Sequence, residues 1–191
     1  MAAMFNDRTT PLSLLRTRRS GKPRDLAAPG PAADELDRML SIAARTPDHG
    51  KLSPWRFVVI EDRDRLAALL TGAYRAERPQ AGRTEIAAMD DFARQAPALV
   101  VVLSSPKTGS HIPVWEQELS AGAACMNLLH AANALGYAGG WLTGWAAYSD
   151  AVRDAFGAAP ERIVGFVFIG TPSRPLEERP RPEMRRIVSR W

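Results

Sequence analysis

The stretch PVWEQELSAGAACMNLLHAANALG, residues 113–136, is the most apolar helical pattern in the chain, and the rest of the fold is best understood from it. Apolar side chains lie almost all round this helix, which is typical of a helix buried on every side. Small residues cluster in its first half at positions 121–124, and Gly136 is placed to end it as a glycine C-cap. In a domain this small, we expect a second subunit to complete the burial.

Apolar runs on both sides of this helix predict β-strands. PALVVVLSS (97–105) and RIVGFVFIG (162–170) are nearly continuous, as expected of strands covered on both faces. WRFVVIE (55–61) predicts a third strand, and GYAGGWLTGW (136–145) predicts a glycine-rich loop or short strand. Further helices are predicted over residues 12–18, 34–45 and 62–77, and between Ser149 and Gly157.

The order of these elements predicts the fold class. Strands and helices mix without strict alternation, so we expect an α+β fold with a central mixed β-sheet flanked by helices. The 191 residues fit one domain, with a core over residues 12–172 and a tail over 173–191 that is rich in proline and arginine.

Composition narrows the class of protein. No stretch approaches the roughly 18–20 apolar residues of a membrane helix, and the opening residues lack the order of a secretory signal. The single cysteine, Cys125, excludes an internal disulfide and suits a reducing compartment, so we expect a cytoplasmic protein without a membrane partner. The net charge is +4, with 25 basic and 21 acidic residues mixed along the chain. A basic nucleic-acid-binding module is an alternative function to that of an enzyme, and this mixture of charges argues against it.

Several enzyme signatures are absent from the sequence. There is no G-x-S-x-G elbow and no Walker A loop, and GYAGG does not satisfy G-x-G-x-x-G. His49, His111 and His130 lack the spacing of metal ligands, so we expect no metal site. His130 and Cys125 fall on the apolar helix and are interpreted as core residues. If the chain is an enzyme, its difficult chemistry belongs to a bound cofactor.

The segment RTRRSGK (16–22) carries a candidate anion site. Arg18, Ser20 and Lys22 stand at alternate positions, which in an extended chain project to one side. Two cations and a hydroxyl on one side suit a phosphate dianion, because charge-assisted hydrogen bonds to it are strong. The alternative is a solvated basic surface.

A set of motifs in a fixed order resembles the nitroreductase-like FMN oxidoreductases, and most closely the small bacterial NAD(P)H nitroreductases of the YdjA type. The resemblance spans about residues 12–172. Its motifs are RRSGK (18–22), RTPDHGKLSPWRFVVIE (45–61), WEQELSAGAA (115–124), LGYAGGW (135–141) and IVGFVFIGTP (163–172).

This resemblance implies a homodimer with two FMN molecules in clefts at the subunit interface. Arg18, Arg19 and Ser20 would hold the phosphate and ribityl chain. Lys22 would approach the N1 and C2 carbonyl edge of the ring, where negative charge settles on reduction. The implied cofactor-binding residues are Arg18, Arg19, Ser20, Lys22, Arg45, His49, Trp141, Leu142 and Thr143.

The remaining implied contacts each have a structural alternative. Arg45 and His49 of the other chain would cover the flavin, although Arg45 also suits a helix C-terminus. The segment 141–143 would lie along the isoalloxazine ring, although Trp141 and Trp145 also suit a core. Asp48 is evenly balanced between the flavin site and a turn stabilised through its own backbone.

The resemblance also implies an activity. NAD(P)H would pass hydride to N5 of FMN, and a nitroaromatic, quinone or similar acceptor would then take the electrons in a ping-pong order. Ala131, Ala132, Asn133, Ala134, Leu135 and Gly136 would contribute to nicotinamide binding, with an ordinary helix end as the alternative. Another reductive reaction at the same flavin site, such as dehalogenation or enone reduction, is the alternative activity.

The chain departs from the broader family at two places. Lys51 and Ser53 stand where many members have Asn and Gln, so recognition of the flavin ring must differ. The late basic residue that completes the phosphate site has three candidates in the tail, namely Arg181, Arg185 and Arg186.

Overall fold

The computed structural model describes residues 5–191, and its centre is a five-stranded β-sheet. The strands are β1 (Leu26–Ala27), β2 (Trp55–Val59), β3 (Ala98–Ser104), β4 (Ala138–Leu142) and β5 (Arg162–Pro172). Their order is β1–β5–β3–β2, and β4 also pairs with β5. Every pairing among the described residues is antiparallel.

Helices surround this sheet. The α-helices are α1 (Pro11–Thr17), α2 (Ala33–Ala43), α3 (Arg63–Glu77), α4 (Arg83–Arg94), α5 (Val114–Ala134), α6 (Asp150–Phe156) and α7 (Met184–Ile187). The predicted caps are in place, since Asp62 accepts the Arg65 N–H at 2.8 Å and Ser149 accepts the Val152 N–H at 3.3 Å. Gly136 follows α5 with φ of +98°, as the glycine C-cap requires.

The predicted α+β class is confirmed. The sheet expected to be mixed is antiparallel in each described pair. The apolar runs indicated that helices cover both faces, and such coverage is independent of strand direction. Helix α4 was not anticipated, although Ile86, Met89 and Phe92 recur at helical spacing within it.

The two faces of the sheet form two separate cores. Along β3, Leu99, Val101 and Leu103 face a cluster that contains residues of α3, α4 and α6, because successive side chains of a strand alternate. Val100 and Val102 face the opposite cluster, which contains residues of α2 and α5. Both faces of β3 are therefore buried, as predicted from its sequence.

Helix α5 lies on the second of these faces, and its inner side is buried. Its outer side carries large apolar residues that one chain leaves in solvent: Trp115 is 67% exposed and Leu119 is 55% exposed. Leu12 and Leu15 of α1, a helix in contact with α5, are also exposed. The single chain therefore buries this helix on one side only.

Candidate functional site

The candidate site begins where the chain leaves α1. Residues 18–24, called the arm below, start with Arg18 in an extended conformation after the last turn of α1. The Arg19 N–H donates to Asn6 Oδ1 at 2.7 Å, and the Gly21 N–H donates to the Gly139 carbonyl at 3.1 Å. These bonds hold the arm alongside β4.

Glycine makes this close approach possible. A Cβ atom on Gly140 would lie 2.7 Å from the Gly21 carbonyl oxygen, closer than carbon and oxygen can pack. The arm therefore lies directly on the backbone of β4, and a side chain at Gly140 would push it away.

A cleft lies between the arm, β4 and α5. Its volume is about 610 Å³. Its walls are formed by Arg18, Arg19, Ser20, Gly21, Lys22, Pro23, Arg24, Gln95, Met126, Leu129, Gly140, Trp141 and Leu142. Six of the nine predicted cofactor-binding residues line it, so the structure brings together the RRSGK motif and the Trp141 loop. Met126 and Leu129 of α5 also line it. Their i, i+3 spacing marks one helix face, but nothing in the sequence connects that face to a cleft.

Arg18 is a partly buried cation with unused hydrogen-bonding capacity. Its Nη2 donates to Ser20 Oγ at 3.1 Å, which confirms that the two side chains project together. Its Nε is buried and has no hydrogen-bond partner among the described residues. Burial lowers the pKa of Arg18, and the neighbouring Arg181, Arg19 and Arg179 lower it further. Converging like charges and an unsatisfied donor together call for an anion.

Arg19 and Lys22 are turned toward the tail. Arg19 Nε donates to the Glu177 carbonyl at 2.6 Å and lies 3.6 Å from a carboxylate oxygen of Glu178. Lys22 Nζ donates to Glu177 Oε2 at 3.0 Å. Lys22 therefore lines the cleft but, unlike Arg18, already has a carboxylate partner.

The tail arginines divide clearly. Arg181 is close enough to Arg18 to influence its pKa, and Arg179 acts in the same direction. Arg181 also pairs with Glu178 at 3.1 Å, while Arg185 and Arg186 pair with Glu183, at 2.9 and 3.3 Å. Of the three candidates from the sequence, Arg181 is the one placed beside the arm. Arg179 was not anticipated.

Trp141 is fixed in place by its neighbours. Its Nε1 donates to the Val164 carbonyl at 3.0 Å, and its ring lies over Gly165, where any side chain would collide with the indole. The ring is partly exposed on the cleft side. Thr143 follows β4, is half-buried, and lies beyond the residues that line the cleft.

Residues 45–54, called the elbow below, connect α2 to β2 and are bonded mainly to α5. Ser120 Oγ donates to the Pro47 carbonyl at 2.8 Å, and His49 Nδ1 lies 2.9 Å from Glu116 Oε2. Asp48 Oδ2 accepts the Ser53 N–H at 3.0 Å. This bond corresponds to the second of its two expected roles, the stabilisation of a turn. Arg45 and His49 are exposed and line no part of their own chain's cleft.

The backbone of the elbow has unusual geometry. Gly50, Lys51 and Ser53 have φ of +76°, +57° and +47°. Left-handed conformations at the two non-glycine residues are costly and must be held by their surroundings. They coincide with the two positions where the sequence departs from the family pattern.

Residues 131–136 lie at the end of α5. Ala131, Ala132 and Asn133 are buried, and Asn133 Nδ2 donates to the Tyr137 carbonyl at 3.0 Å. None of the six residues lines the cleft. Their part in nicotinamide binding therefore remains a prediction.

Of the two reactive side chains of α5 interpreted as core residues, Cys125 is fully buried, whereas His130 is only half-buried. Burial raises the pKa of the Cys125 thiol to about 12, so the thiolate is not accessible near neutral pH. Burial, and then Arg18, lower the pKa of His130. Its Nδ1 is buried without a hydrogen-bond partner among the described residues.

The described residues contain neither a metal-binding group nor a membrane-spanning helix. No group of three or more His, Cys, Asp or Glu side chains that could hold a metal ion occurs in residues 5–191. Within the same residues, no helix is both long enough and apolar enough to cross a membrane.

Comparison with known proteins identifies the family. The model described as "Nitroreductase family" matches residues 15–171. The chain is 38% identical over 164 residues to YdjA, a candidate NAD(P)H nitroreductase of Escherichia coli K12, across 84% of this chain and 87% of that protein. The chain therefore belongs to the nitroreductase family.

Solved structures confirm the fold. A nitroreductase-like family protein of Bacillus cereus superposes with a TM-score of 0.79 at 22% identity, covering 97% of each chain. A candidate nitroreductase of Desulfovibrio desulfuricans, solved in complex with FMN, superposes with a TM-score of 0.71 at 22% identity, covering 95% of this chain and 97% of that one.

Proposed function

We propose that this chain is an FMN-dependent NAD(P)H oxidoreductase that reduces nitroaromatic, quinone or similar acceptors in a ping-pong order. The observation that carries the proposal is the buried, unsatisfied Nε of Arg18 at the wall of the cleft. The name of the Escherichia coli relative and the FMN bound to the Desulfovibrio protein support it.

The residues present fit the phosphate of FMN. Arg18 and Ser20 lie 3.1 Å apart and line the same cleft, and Arg181 adds positive charge beside them. A phosphate dianion there would accept from the orphaned Nε and neutralise the repulsion among the arginines. Arg19 adds a third cation at the edge of this group.

The rest of the cleft fits an aromatic ring. When bound, FMN supplies the two-electron chemistry that amino-acid side chains lack. Trp141 and Leu142 would form an apolar wall for the ring, and the backbone of residues 141–143 would orient it, as predicted from the sequence. Lys22 holds a positive charge for the ring edge, and it must release Glu177 to do so. Met126 and Leu129 add apolar surface on the α5 side.

A second copy of this chain completes the site in our proposal. The exposed residues Leu12, Leu15, Trp115 and Leu119 form an apolar surface on α1 and α5 that solvent disfavours. Pairing two such surfaces would bury it, giving a homodimer. Arg45 and His49 are exposed and lie outside their own cleft, so we assign them to the cleft of the second protomer.

Two finer assignments follow from the same proposal. Reduced nicotinamide would enter the open side of the cleft over the flavin, with residues 131–136 as its predicted neighbours. We also propose a cytoplasmic location, because the Cys125 thiol is free in the structure and suits a reducing compartment.

Titration of the flavin-free protein with FMN and with riboflavin tests the proposal. The two ligands share the ring and differ in the phosphate, so we expect FMN to bind at least about 100-fold more tightly, through two or more charge-assisted hydrogen bonds. Sedimentation of the FMN-loaded protein should show a dimer. Equal affinity for the two flavins, or no flavin binding, would contradict the phosphate assignment.

A further inference from the structure

A second, smaller cavity lies on the other side of the arm from the cleft. This cavity, called the recess below, has a volume of about 140 Å³, room for about five water molecules. Arg18 lines the cleft but not the recess, whereas Arg174 and Glu177 line the recess but not the cleft. Arg19, Lys22 and Arg24 line both cavities, so the two are separated only by the arm.

Positive charge is in excess in the recess. Arg19, Lys22, Arg24 and Arg174 line it, against the carboxylates of Asp25 and Glu177. Three of these cations have an acidic neighbour, and Arg174 is only loosely paired, at 3.9 Å from Asp25. The guanidinium of Arg24 makes no hydrogen bond or ion pair with any described side chain, although Arg24 lines both cavities.

The carboxylate already present shows what the recess accepts. Glu177 places Oε2 3.0 Å from Lys22 Nζ, and its side chain is 74% exposed. An exposed carboxylate can swing into solvent at little cost, since exposed ion pairs contribute roughly 0–1 kcal/mol. An anion with two negative charges would therefore displace it.

We propose that the recess binds the 2′-phosphate of NADPH and makes the enzyme prefer NADPH over NADH. This inference depends on the proposed function, because it places the nicotinamide end of the same molecule in the cleft. Arg24 reaches both cavities and would guide the nucleotide across the arm. Arg174 would face the phosphate from the tail side.

The shape of the recess favours a terminal phosphate over the pyrophosphate common to both nucleotides. The recess holds about 140 Å³ against about 610 Å³ for the cleft. A phosphate monoester is joined to the nucleotide by one covalent link, so it can enter a narrow pocket from one side. The pyrophosphate is linked to the rest of the nucleotide at both ends, so both links would have to fit through the mouth of the pocket. A monoester also carries up to two negative charges on one group, which suits the surplus of cations.

Steady-state kinetics of the FMN-loaded protein with NADPH and NADH test the proposal. We expect Arg24→Ala and Arg174→Ala each to lower the ratio of kcat/KM for NADPH to that for NADH by about tenfold, while Arg24→Lys retains part of it. Glu177→Gln should raise the ratio, because it removes the competing carboxylate. Arg83→Ala, which removes an exposed arginine of α4, should leave the ratio unchanged. An unchanged ratio in Arg24→Ala and Arg174→Ala would overturn the proposal.

Calorimetric titration with adenosine 2′-monophosphate gives a second measurement that needs no turnover. Arg24→Ala should weaken its binding about tenfold, and adenosine itself should bind wild type and variant alike. If the protein takes up no FMN, the proposed function fails, yet the flavin-free protein still decides this question. Binding of the monophosphate lost in Arg24→Ala and kept in Arg18→Ala supports the recess. The reverse result overturns it.

Discussion

Two partly buried arginines, Arg63 and Arg18, differ in what surrounds them. Arg63, at the start of α3, donates to the carbonyl oxygens of Ala93, Gln95, Ala96 and Pro97 at 2.9–3.4 Å. Arg18, in the arm, donates to one hydroxyl and leaves Nε without a partner among the described residues. Burial lowers the pKa of both.

This difference separates a structural arginine from a ligand-binding one. The guanidinium of Arg63 donates to four backbone carbonyls, so its burial is compensated within the fold. The burial of Arg18 is not compensated, and neighbouring arginines increase its cost. Selection for stability alone would not retain such a group, so it indicates a ligand.

Arg63→Ala should produce the largest loss of stability. The change leaves several carbonyl oxygens of residues 93–97 without a donor, and we expect the free energy of unfolding to fall by about 3 kcal/mol. Urea denaturation monitored by circular dichroism measures it. Arg83→Ala is the control, and FMN affinity of the folded variant should match wild type. A loss below about 0.5 kcal/mol would show that water replaces Arg63 without cost.

Arg18→Ala should give the opposite result. Without the guanidinium, FMN affinity should fall about 100-fold, which corresponds to about 2.7 kcal/mol. The free energy of unfolding should stay within about 0.5 kcal/mol of wild type, because no contact that stabilises the fold is removed. Riboflavin affinity should change little, and this comparison locates the effect at the phosphate. A large loss of stability with unchanged FMN affinity would place Arg18 with Arg63.

The role of Arg18 can be predicted from the sequence better than the role of Arg63, for a physical reason. Arg18 and Ser20 are two residues apart in extended chain, so their common direction follows from local geometry. The acceptors of Arg63 lie about 30 residues away, in an irregular turn after the helix that was not anticipated. No local sequence pattern indicates which backbone carbonyls such a turn will leave without hydrogen-bond donors.

The same reasoning explains the other differences from expectation. Lys22 lines the same cleft as Arg18, and its pair with Glu177, which is 155 residues away in sequence, could not be foreseen from local geometry. The strand residues and their burial follow from apolar runs, whereas pairing direction depends on connections that those runs do not encode. The recess is formed where the arm meets the tail, and its cations are scattered over two distant segments.

A third arginine shows the case in which a carboxylate is the partner. Arg56 donates through Nε and Nη2 to Glu161 at 2.7 and 2.9 Å. The Arg56 hydrogen bonds hold the pKa of Glu161 at about 2, below its ordinary 4.5. Because the folded pKa is the lower one, this pair stabilises the fold above about pH 4.5, and the contribution is lost as pH falls toward 2.

Glu161→Gln should therefore cost about 1–2 kcal/mol at pH 7 and make stability less sensitive to acid. Chemical denaturation at several pH values between 2 and 7 measures the effect, and the wild-type and variant curves should converge as pH falls through this window. FMN affinity at pH 7 should not change, since neither residue lines the cleft. Parallel curves that keep a constant separation down to pH 2 would show that the ion pair is not the cause.

The smallest effect on stability is expected from substitutions in the elbow. Their effect on FMN binding is best measured in a dimer of two different variant chains. His49→Ala removes an exposed pair with Glu116, so unfolding should change by less than about 0.5 kcal/mol. Glu116→Ala removes the same pair but keeps the imidazole, so FMN affinity should fall severalfold only in the histidine variant.

If His49 serves the cleft of the second protomer, a dimer of one Arg18→Ala chain and one His49→Ala chain combines both defects in one cleft and leaves the other intact. Such a dimer should bind one FMN with wild-type affinity. If His49 instead serves the cleft of its own chain, both clefts of that dimer are defective and no wild-type site remains. The absence of a wild-type site would therefore show that the elbow and the arm of one chain form a single site.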